Sequence, residues 1–150
     1  IEMLTHFFAP NEVAEIWITF PDPQMKKATK RLTSTYFMQR YAELLQENGL
    51  IHLKTDSPFL YTYTQAMVKE NNYPLLVDTD DLYASQATAD IDEARSLQTH
   101  YEHQWLDRGL TIKYLRWELS HCDNLIEPDI DIEKDTYRSY GRNYVSSTNN

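Results

Sequence analysis

The amino-acid sequence predicts an α/β fold in which a sheet, mostly parallel at its start, carries helices on its faces. Three observations lead to this prediction. Short apolar runs typical of buried strands alternate with longer segments in which apolar residues recur at helical spacing. Residues that favour helix ends separate the two kinds of segment. The resulting order is strand, helix, strand, helix, strand, helix, strand, and the 150 residues suit one domain with a sizeable core.

The first predicted strand and helix lie in the opening third of the chain. Residues 15–20 (EIWITF) form an apolar run that Pro21 closes, which is typical of a buried strand. Thr33 or Ser34 then caps a helix, because both residue types accept hydrogen bonds from free N–H groups at helix starts. The apolar residues of this helix share one face, and Asn-Gly at residues 48–49 is predicted to end it.

The second strand is predicted at residues 50–55 (LIHLKT), directly before Asp56. A second helix begins with Ser-Pro at residues 57–58, since serine caps helices and proline suits the first helical position. Asn-Asn at residues 71–72 ends this helix, and a third strand begins at residues 75–77 (LLV).

A third helix and a fourth strand complete the predicted order. Residues 84–90 are small and polar and are predicted to form a mobile loop. Asp90 and Glu93 have the spacing of a capping box at the start of the helix. Four apolar residues then line one helix face, namely Ala94, Leu97, Tyr101 and Trp105. Gly109 ends this helix, and residues 110–119 (LTIKYLRWEL) form a long strand.

The chain is predicted to divide into an α/β domain at residues 1–119 and an acidic, irregular C-terminal tail at residues 120–150. Acidic residues alternate in this tail, at Asp129, Asp131, Glu133 and Asp135, as they do in calcium-binding loops. The match fails at Lys134, where such a loop needs glycine, and at Tyr140, where it needs glutamate. The tail is therefore predicted to form an acidic edge or to wrap around the domain.

The charges of the chain are unevenly distributed. The formal net charge is −9, which argues mildly against nucleic acid as a partner. Five cations nevertheless fall in one short segment, at Lys26, Lys27, Lys30, Arg31 and Arg40. A run of cations is usually a solvated face, but this run follows a strand end directly, where cations suit phosphate contacts.

The composition also bears on the cellular setting. No apolar run approaches the roughly 20 residues of a membrane span, and no signal peptide is visible. The single cysteine, Cys122, cannot form an internal disulfide. These features predict a cytoplasmic protein with no membrane partner.

The sequence places two acids directly after strands. Asp22 is held between Pro21 and Pro23, which restrict the backbone on both sides, and Asp56 follows the second strand. Ligands of α/β sheets bind outside the carboxyl ends of the strands, so one cleft is expected to hold both carboxylates. The competing interpretation of Asp22 is a structural turn with a solvated side chain.

Residues 99–102 (THYE) place Thr99 and Glu102 one helical turn apart, on the same face. An ordinary amphipathic helix accounts for this spacing equally well. His100 and His103 are also one turn apart, but they do not form the His-Glu-x-x-His arrangement, and a catalytic zinc needs three ligands. No metal site is therefore predicted.

These motifs, taken in order, resemble the bacterial tRNA (guanine-N7-)-methyltransferases. The resemblance covers roughly residues 1–119 and is most specific at residues 18–31, with FPDP and the basic loop, at residues 52–56, ending in KTD, and at residues 99–102. It implies a Rossmann-like class I methyltransferase fold. It also implies an enzyme that uses S-adenosylmethionine as cofactor to methylate a guanine in the variable loop of tRNA.

The resemblance also implies roles for individual residues. Asp22 matches the family's catalytic acid, which lies beside the cofactor and contacts it. Lys26 and Asp56 match substrate-binding positions. The same role falls on four consecutive residues, namely Thr99, His100, Tyr101 and Glu102. The sequence departs from the family at Gln24, where tryptophan is frequent, and in the shorter basic loop.

The glycine-rich cofactor loop of the family has no counterpart here, since the three glycines are far apart, at Gly49, Gly109 and Gly141. We therefore expect the second half of the methyltransferase sheet, its strands 4 to 7, with most of the S-adenosylmethionine site upstream of Ile1. On that expectation the chain alone is inactive and forms a homodimer through its exposed sheet edge. The alternative is a non-catalytic RNA-binding or protein-interaction module derived from a methyltransferase.

Overall fold

Four strands and four α-helices follow one another along residues 1–138, the part of the chain that the computed structural model describes. The strands are β1 (Val13–Thr19), β2 (Leu45–Thr55), β3 (Leu75–Thr79) and β4 (Lys113–Glu118). The helices are α1 (Thr35–Leu44), α2 (Pro58–Glu70), α3 (Ala89–Ser96) and α4 (His100–Asp107). Residues 139–150, the end of the predicted tail, lie outside the described residues. Within residues 1–138 no helix is long and apolar enough to span a membrane.

The four strands form one sheet in the order β1-β2-β4-β3. Strands β1 and β2 are parallel, whereas β4 lies antiparallel between β2 and β3. The predicted α/β sheet with a parallel start is therefore confirmed. Strands β1, β2 and β3 all end at one edge, where β4 begins, and we call this edge the carboxyl rim. Among the described residues β1 forms one side of the sheet, and the homodimer expected from that edge stays a prediction.

Helices cover both faces of the sheet. On one face, α1 and α2 pack against the side chains of Ile51, Leu53, Leu115 and Trp117. On the other face, α3 packs against the start of β4 in a smaller cluster of Leu82, Ile91, Ala94, Ile112 and Tyr114. The second half of β2 and most of β4 are therefore buried on both faces, so their polar residues, such as His52 and Lys54, are buried together with the apolar ones.

Helix α1 is shorter, and strand β2 longer, than the sequence predicts. The helix ends at Leu44, and Leu45 already pairs with Val13 of β1. Asn48 has a positive φ of 55°, and a Cβ on Gly49 would lie 2.8 Å from Leu45 Cδ2. The Asn-Gly pair therefore marks an irregularity inside β2 instead of a helix stop, because both residues permit a local bend that most residues resist.

The predicted third helix is wrong as a continuous element. It is divided into α3 and α4, and Leu97 and Tyr101, expected on its buried face, are 48% and 62% exposed. The break arises because Lys54 Nζ donates to the carbonyl oxygens of Ala94, at 2.6 Å, and Leu97, at 2.9 Å. The cap also differs from the prediction, since the Thr88 side chain, and not Asp90, accepts the hydrogen bond at the start of α3.

The predicted tail wraps around the domain, and we call residues 126–138 the C-terminal strap. Glu127 accepts hydrogen bonds from the Thr35 backbone N–H, at 2.8 Å, and from the Tyr63 hydroxyl, at 2.6 Å. Asp135 accepts from the Phe59 backbone N–H at 3.0 Å. The strap acids thus cap the N-termini of α1 and α2, where backbone donors are free and negative charge is favoured.

Replacement of Glu127 by alanine is expected to lower the free energy of unfolding by about 1–3 kcal/mol, because three donors, the Thr35 N–H, the Thr35 hydroxyl and the Tyr63 hydroxyl, lose their partner. Urea denaturation of the chain measures this loss. Asp129→Ala removes an exposed acid of the same strap and should change stability by less than about 0.5 kcal/mol. Equal effects of the two substitutions would contradict a capping role for Glu127.

One histidine is fully buried on the α3 face of β2. The ring of His52 stacks on Trp17 with centroids 3.8 Å apart. Its Nδ1 lies 2.9 Å from the Tyr114 hydroxyl, and its Nε2 lies 3.3 Å from a Glu15 carboxylate oxygen. Burial lowers the pKa of His52 to about 4, although the nearby Glu15 carboxylate opposes this change.

This depressed pKa predicts a pH dependence of stability. Between the unfolded pKa, about 6.5, and the folded pKa, the unfolded chain binds the extra proton, so stability falls as the pH falls. From pH 7.5 to 5.0, the stability advantage of the wild type over His52→Gln should shrink by about 2 kcal/mol. Denaturation at both pH values measures this change, and an advantage that is independent of pH would contradict the prediction.

Candidate active site

The two acids predicted to share a cleft follow neighbouring parallel strands at the carboxyl rim. The Phe20 N–H donates to the Lys54 carbonyl at 2.9 Å, so the ends of β1 and β2 are joined by a hydrogen bond. Asp22 lies two residues beyond Phe20, and Asp56 lies two residues beyond Lys54. The structure therefore brings the Asp22 loop and Asp56 to the same edge of the sheet.

The loop that carries Asp22 is tightly bent. Phe20 and Gln24, on either side of the acid, have positive φ values of 50° and 49°, which side-chain-bearing residues adopt rarely. Asp22 is exposed, and its Oδ1 accepts a hydrogen bond from the Gln24 N–H at 2.9 Å. Backbone strain of this kind gathers at functional sites, where the surrounding structure holds it in place.

The basic loop after Asp22 is only partly available to a ligand. Lys26, Lys27 and Lys30 are exposed. Arg31 is buried, and its guanidinium donates to the carbonyl oxygens of Gln24, at 3.1 Å, and Met25, at 3.2 Å. It also lies over two aromatic rings of α2. The prediction that Arg31 serves phosphate contacts is wrong, because this cation instead fixes the loop to α2.

Asp56 is 1% exposed, and the C-terminal strap holds its carboxylate. Arg138 Nη2 lies 2.7 Å from both oxygens of Asp56, and the Tyr137 hydroxyl donates to Oδ2 at 2.5 Å. Burial, together with this hydrogen bond and the Asp56 charge, raises the pKa of Tyr137, so the tyrosine stays a donor. These partners were missed in the sequence, because no local pattern joins residues about eighty positions apart.

A buried lysine completes the carboxyl rim. Lys113 begins β4 opposite Thr55, and its Nζ donates to the Thr111 carbonyl at 3.0 Å and to its hydroxyl at 2.7 Å. Burial lowers the pKa of Lys113, while several carboxylates, with Asp56 the strongest, oppose this change. The sequence signals this residue only by placing a cation at the start of an apolar strand.

The residues of the THYE motif divide into two pairs. Thr99 caps α4, and Glu102 is fully buried with Oε2 2.8 Å from Lys54 Nζ. The other Glu102 oxygen accepts from the Tyr83 hydroxyl at 2.6 Å. His100 and Tyr101 instead point outward and are exposed. In this structure Glu102 therefore docks α4 against the sheet, and the outward pair can meet a substrate.

Among the described residues the exposed Asp22 is the one predicted contact to S-adenosylmethionine. Gly49 lies within β2 and Gly109 follows α4, so neither belongs to a glycine-rich loop of the kind that holds this cofactor. Residues 1–138 enclose a cavity of about 190 Å³ between the strap and α2, which neither Asp22 nor Asp56 lines. No group of three or more potential metal ligands is found among these residues.

Comparisons with known proteins agree with the sequence motifs. A family model described as "Putative methyltransferase" matches residues 1–115. Similar proteins named tRNA (guanine-N(7)-)-methyltransferase occur in Bacteroides fragilis, 58% identical over 142 residues, and Porphyromonas gingivalis, 57% identical over 143 residues. Both matches cover 95% of this chain, but only 55% and 58% of the relatives. The relative from Mycoplasma pneumoniae is 32% identical over 77% of this chain and 54% of its own length.

The chain therefore spans about half the length of the curated relatives that it matches. The matches to the first two relatives also extend beyond the roughly 119 residues that carry the motifs. Part of the C-terminal region is thus shared with these proteins.

Proposed function

The chain belongs to this methyltransferase family, and from that premise we propose that it supplies the substrate-facing side of an enzyme that methylates guanine N7 in tRNA. The observation that carries the proposal is the exposed Asp22, held in a bent loop at the carboxyl rim and followed by three exposed lysines. This arrangement pairs a fixed negative charge with cations suited to an RNA backbone. The names of the relatives support guanine N7 as the methylated atom.

The chemistry at N7 needs alignment and charge more than proton transfer. S-adenosylmethionine, when bound, would supply a methyl group whose bond to the positively charged sulfur breaks, with a neutral thioether as the leaving group. Guanine N7 carries a lone pair and no proton, so a new N–C bond forms there without a general base. Positive charge then develops on the guanine ring. Asp22, as a carboxylate beside the ring, stabilises this charge and orients guanine by accepting from its N–H groups.

The remaining rim residues hold the substrate. Lys26, on the loop beyond Asp22, contacts a backbone phosphate. Thr99 and Glu102 fix α4, so that His100 and Tyr101 present a polar and aromatic surface toward the RNA. The target guanine leaves its stack to reach Asp22, as enzymes that modify bases require.

A methyl-transfer assay on the complete gene product tests this proposal. The protein is incubated with unmodified tRNA and S-adenosylmethionine carrying a labelled methyl group, and the nucleosides are then separated. The proposal predicts label in 7-methylguanosine. Tight tRNA binding without any transfer would instead support the non-catalytic RNA-binding module, and label in another nucleoside would contradict guanine N7 as the target.

A further inference from the structure

The carboxylate at the end of β2 has no open side toward a substrate. Asp56 is 1% exposed, and its two oxygens accept hydrogen bonds from Arg138 and Tyr137. A guanine could reach Asp56 only by displacing a guanidinium at 2.7 Å. Removing Arg138 from the buried Asp56 carboxylate would cost free energy, because the charge would lose its partner. Asp56 therefore affects a ligand through Arg138, which it holds in place.

We propose that Arg138 is an RNA-binding residue whose ligand is a backbone phosphate next to the target guanosine, and that Asp56 positions it. This inference rests on the proposed function and assigns a further part of its RNA-binding surface to the C-terminal strap.

The geometry of Arg138 suits a phosphate. A guanidinium presents five N–H donors in a rigid fork, and here Nη2 is turned toward Asp56 while Nε lies 3.5 Å from Asp135. Two carboxylates hold the guanidinium, and the Arg138 side chain is 22% exposed, so part of it is open to solvent. A fork fixed in this way loses little entropy when it binds a phosphate.

Aromatic rings restrict Arg138 further. Its guanidinium carbon lies 5.4 Å from the Trp105 ring of α4 and 5.7 Å from the Tyr137 ring. These contacts connect the strap to α4, the helix that carries His100 and Tyr101. Arg138 thus bridges Asp56, at the end of β2, and Trp105 of α4.

The strap lies on the side of the domain that carries the basic loop, which is proposed to bind RNA. The Asp135 N–H lies 3.3 Å from Met25 Sδ, so the strap runs beside the loop of Lys26. A phosphate is favoured over the guanine base, because arginine binds guanine through O6 and N7. Such a contact would block the atom that is methylated. Arg138 therefore adds a cation to the lysines of the basic loop in a chain of net charge −9.

The test measures the salt dependence of tRNA binding by the complete gene product, with Arg138→Gln, Arg138→Lys and Lys69→Gln as variants. Lys69 is exposed near the C-terminal end of α2, away from the carboxyl rim, and serves as the matched control. Arg138→Gln should weaken binding several-fold and reduce the slope of log K against log salt by about 1. Arg138→Lys should keep the slope but bind more weakly, and Lys69→Gln should match the wild type.

Three outcomes separate the explanations. If the wild-type protein binds and methylates tRNA but Arg138→Gln leaves the salt slope unchanged, this inference is overturned and the proposed function is not. A lower melting temperature of the Arg138→Gln variant does not alter that conclusion. If Arg138→Gln does not fold, wild-type affinity in Arg138→Lys overturns the inference, since lysine cannot form the same fork. A wild-type protein that neither binds nor methylates tRNA overturns the proposed function and this inference with it.

Discussion

Replacement of Asp22 by asparagine in the complete gene product is expected to slow methyl transfer at saturating tRNA by about 10²–10³-fold. Asparagine keeps an oxygen that can accept the Gln24 N–H, which lies 2.9 Å from Asp22 Oδ1, so the bent loop should persist. What is lost is the negative charge beside the guanine ring. Because the carboxylate acts on charge that develops during the reaction, kcat should fall while tRNA affinity stays close to that of the wild type.

Asp129→Asn provides the matched control, since it removes an exposed acid of the strap with the same change of charge. Single-turnover rates and tRNA binding are measured for both variants. A rate for Asp22→Asn within a few-fold of the wild type would remove Asp22 from the chemistry. A loss of binding that equals the loss of rate would make it a binding residue only.

The largest effect on stability is expected at the buried ion pair between Lys54 and Glu102. Both side chains are fully buried, and Lys54 Nζ also donates to the carbonyl oxygens that end α3. Burial lowers the pKa of Lys54, and the Glu102 charge and hydrogen bond oppose this change. Lys54→Met should lower the free energy of unfolding by about 3–5 kcal/mol, because it leaves Glu102 as an unpaired buried charge.

A double-mutant cycle tests this account. Adding Glu102→Leu to Lys54→Met should recover part of the lost stability, because no buried charge is then left unpaired. Lys69→Met, at an exposed position near the end of α2, should change stability little. Losses that simply add in the double variant would show that the two side chains do not interact, and Glu102 would again be open to a direct role with substrate.

Local chemistry accounts for the elements that the sequence predicted well. Helix α2 begins at Pro58 after the Ser57 cap and is followed by Asn71, as expected, because these signals lie within a few residues of the helix ends. The break between α3 and α4 could not be predicted in this way. It depends on the Lys54 ammonium, which reaches the carbonyl oxygens of residues 40 and 43 positions later in the chain.

The candidate site shows the same division. Asp22 and Asp56 were placed at the carboxyl rim from their positions after strands, a rule that needs only the order of elements. Their environments differ in ways that the sequence does not encode locally. Asp56 is buried beneath Arg138 and Tyr137, which only the path of the strap brings there, and Arg31 turns inward although it belongs to an otherwise exposed cationic run.

A single-atom change in the RNA tests directly whether guanine N7 receives the methyl group. The nucleotide methylated by the complete gene product is first mapped, and a ligated tRNA is then prepared with 7-deazaguanosine at that position. This base replaces N7 by a C–H group and so lacks the lone pair that receives the methyl group. The altered tRNA should bind with an affinity similar to that of the unmodified tRNA and should accept no methyl group. Methyl incorporation at the altered nucleotide would contradict methylation at guanine N7.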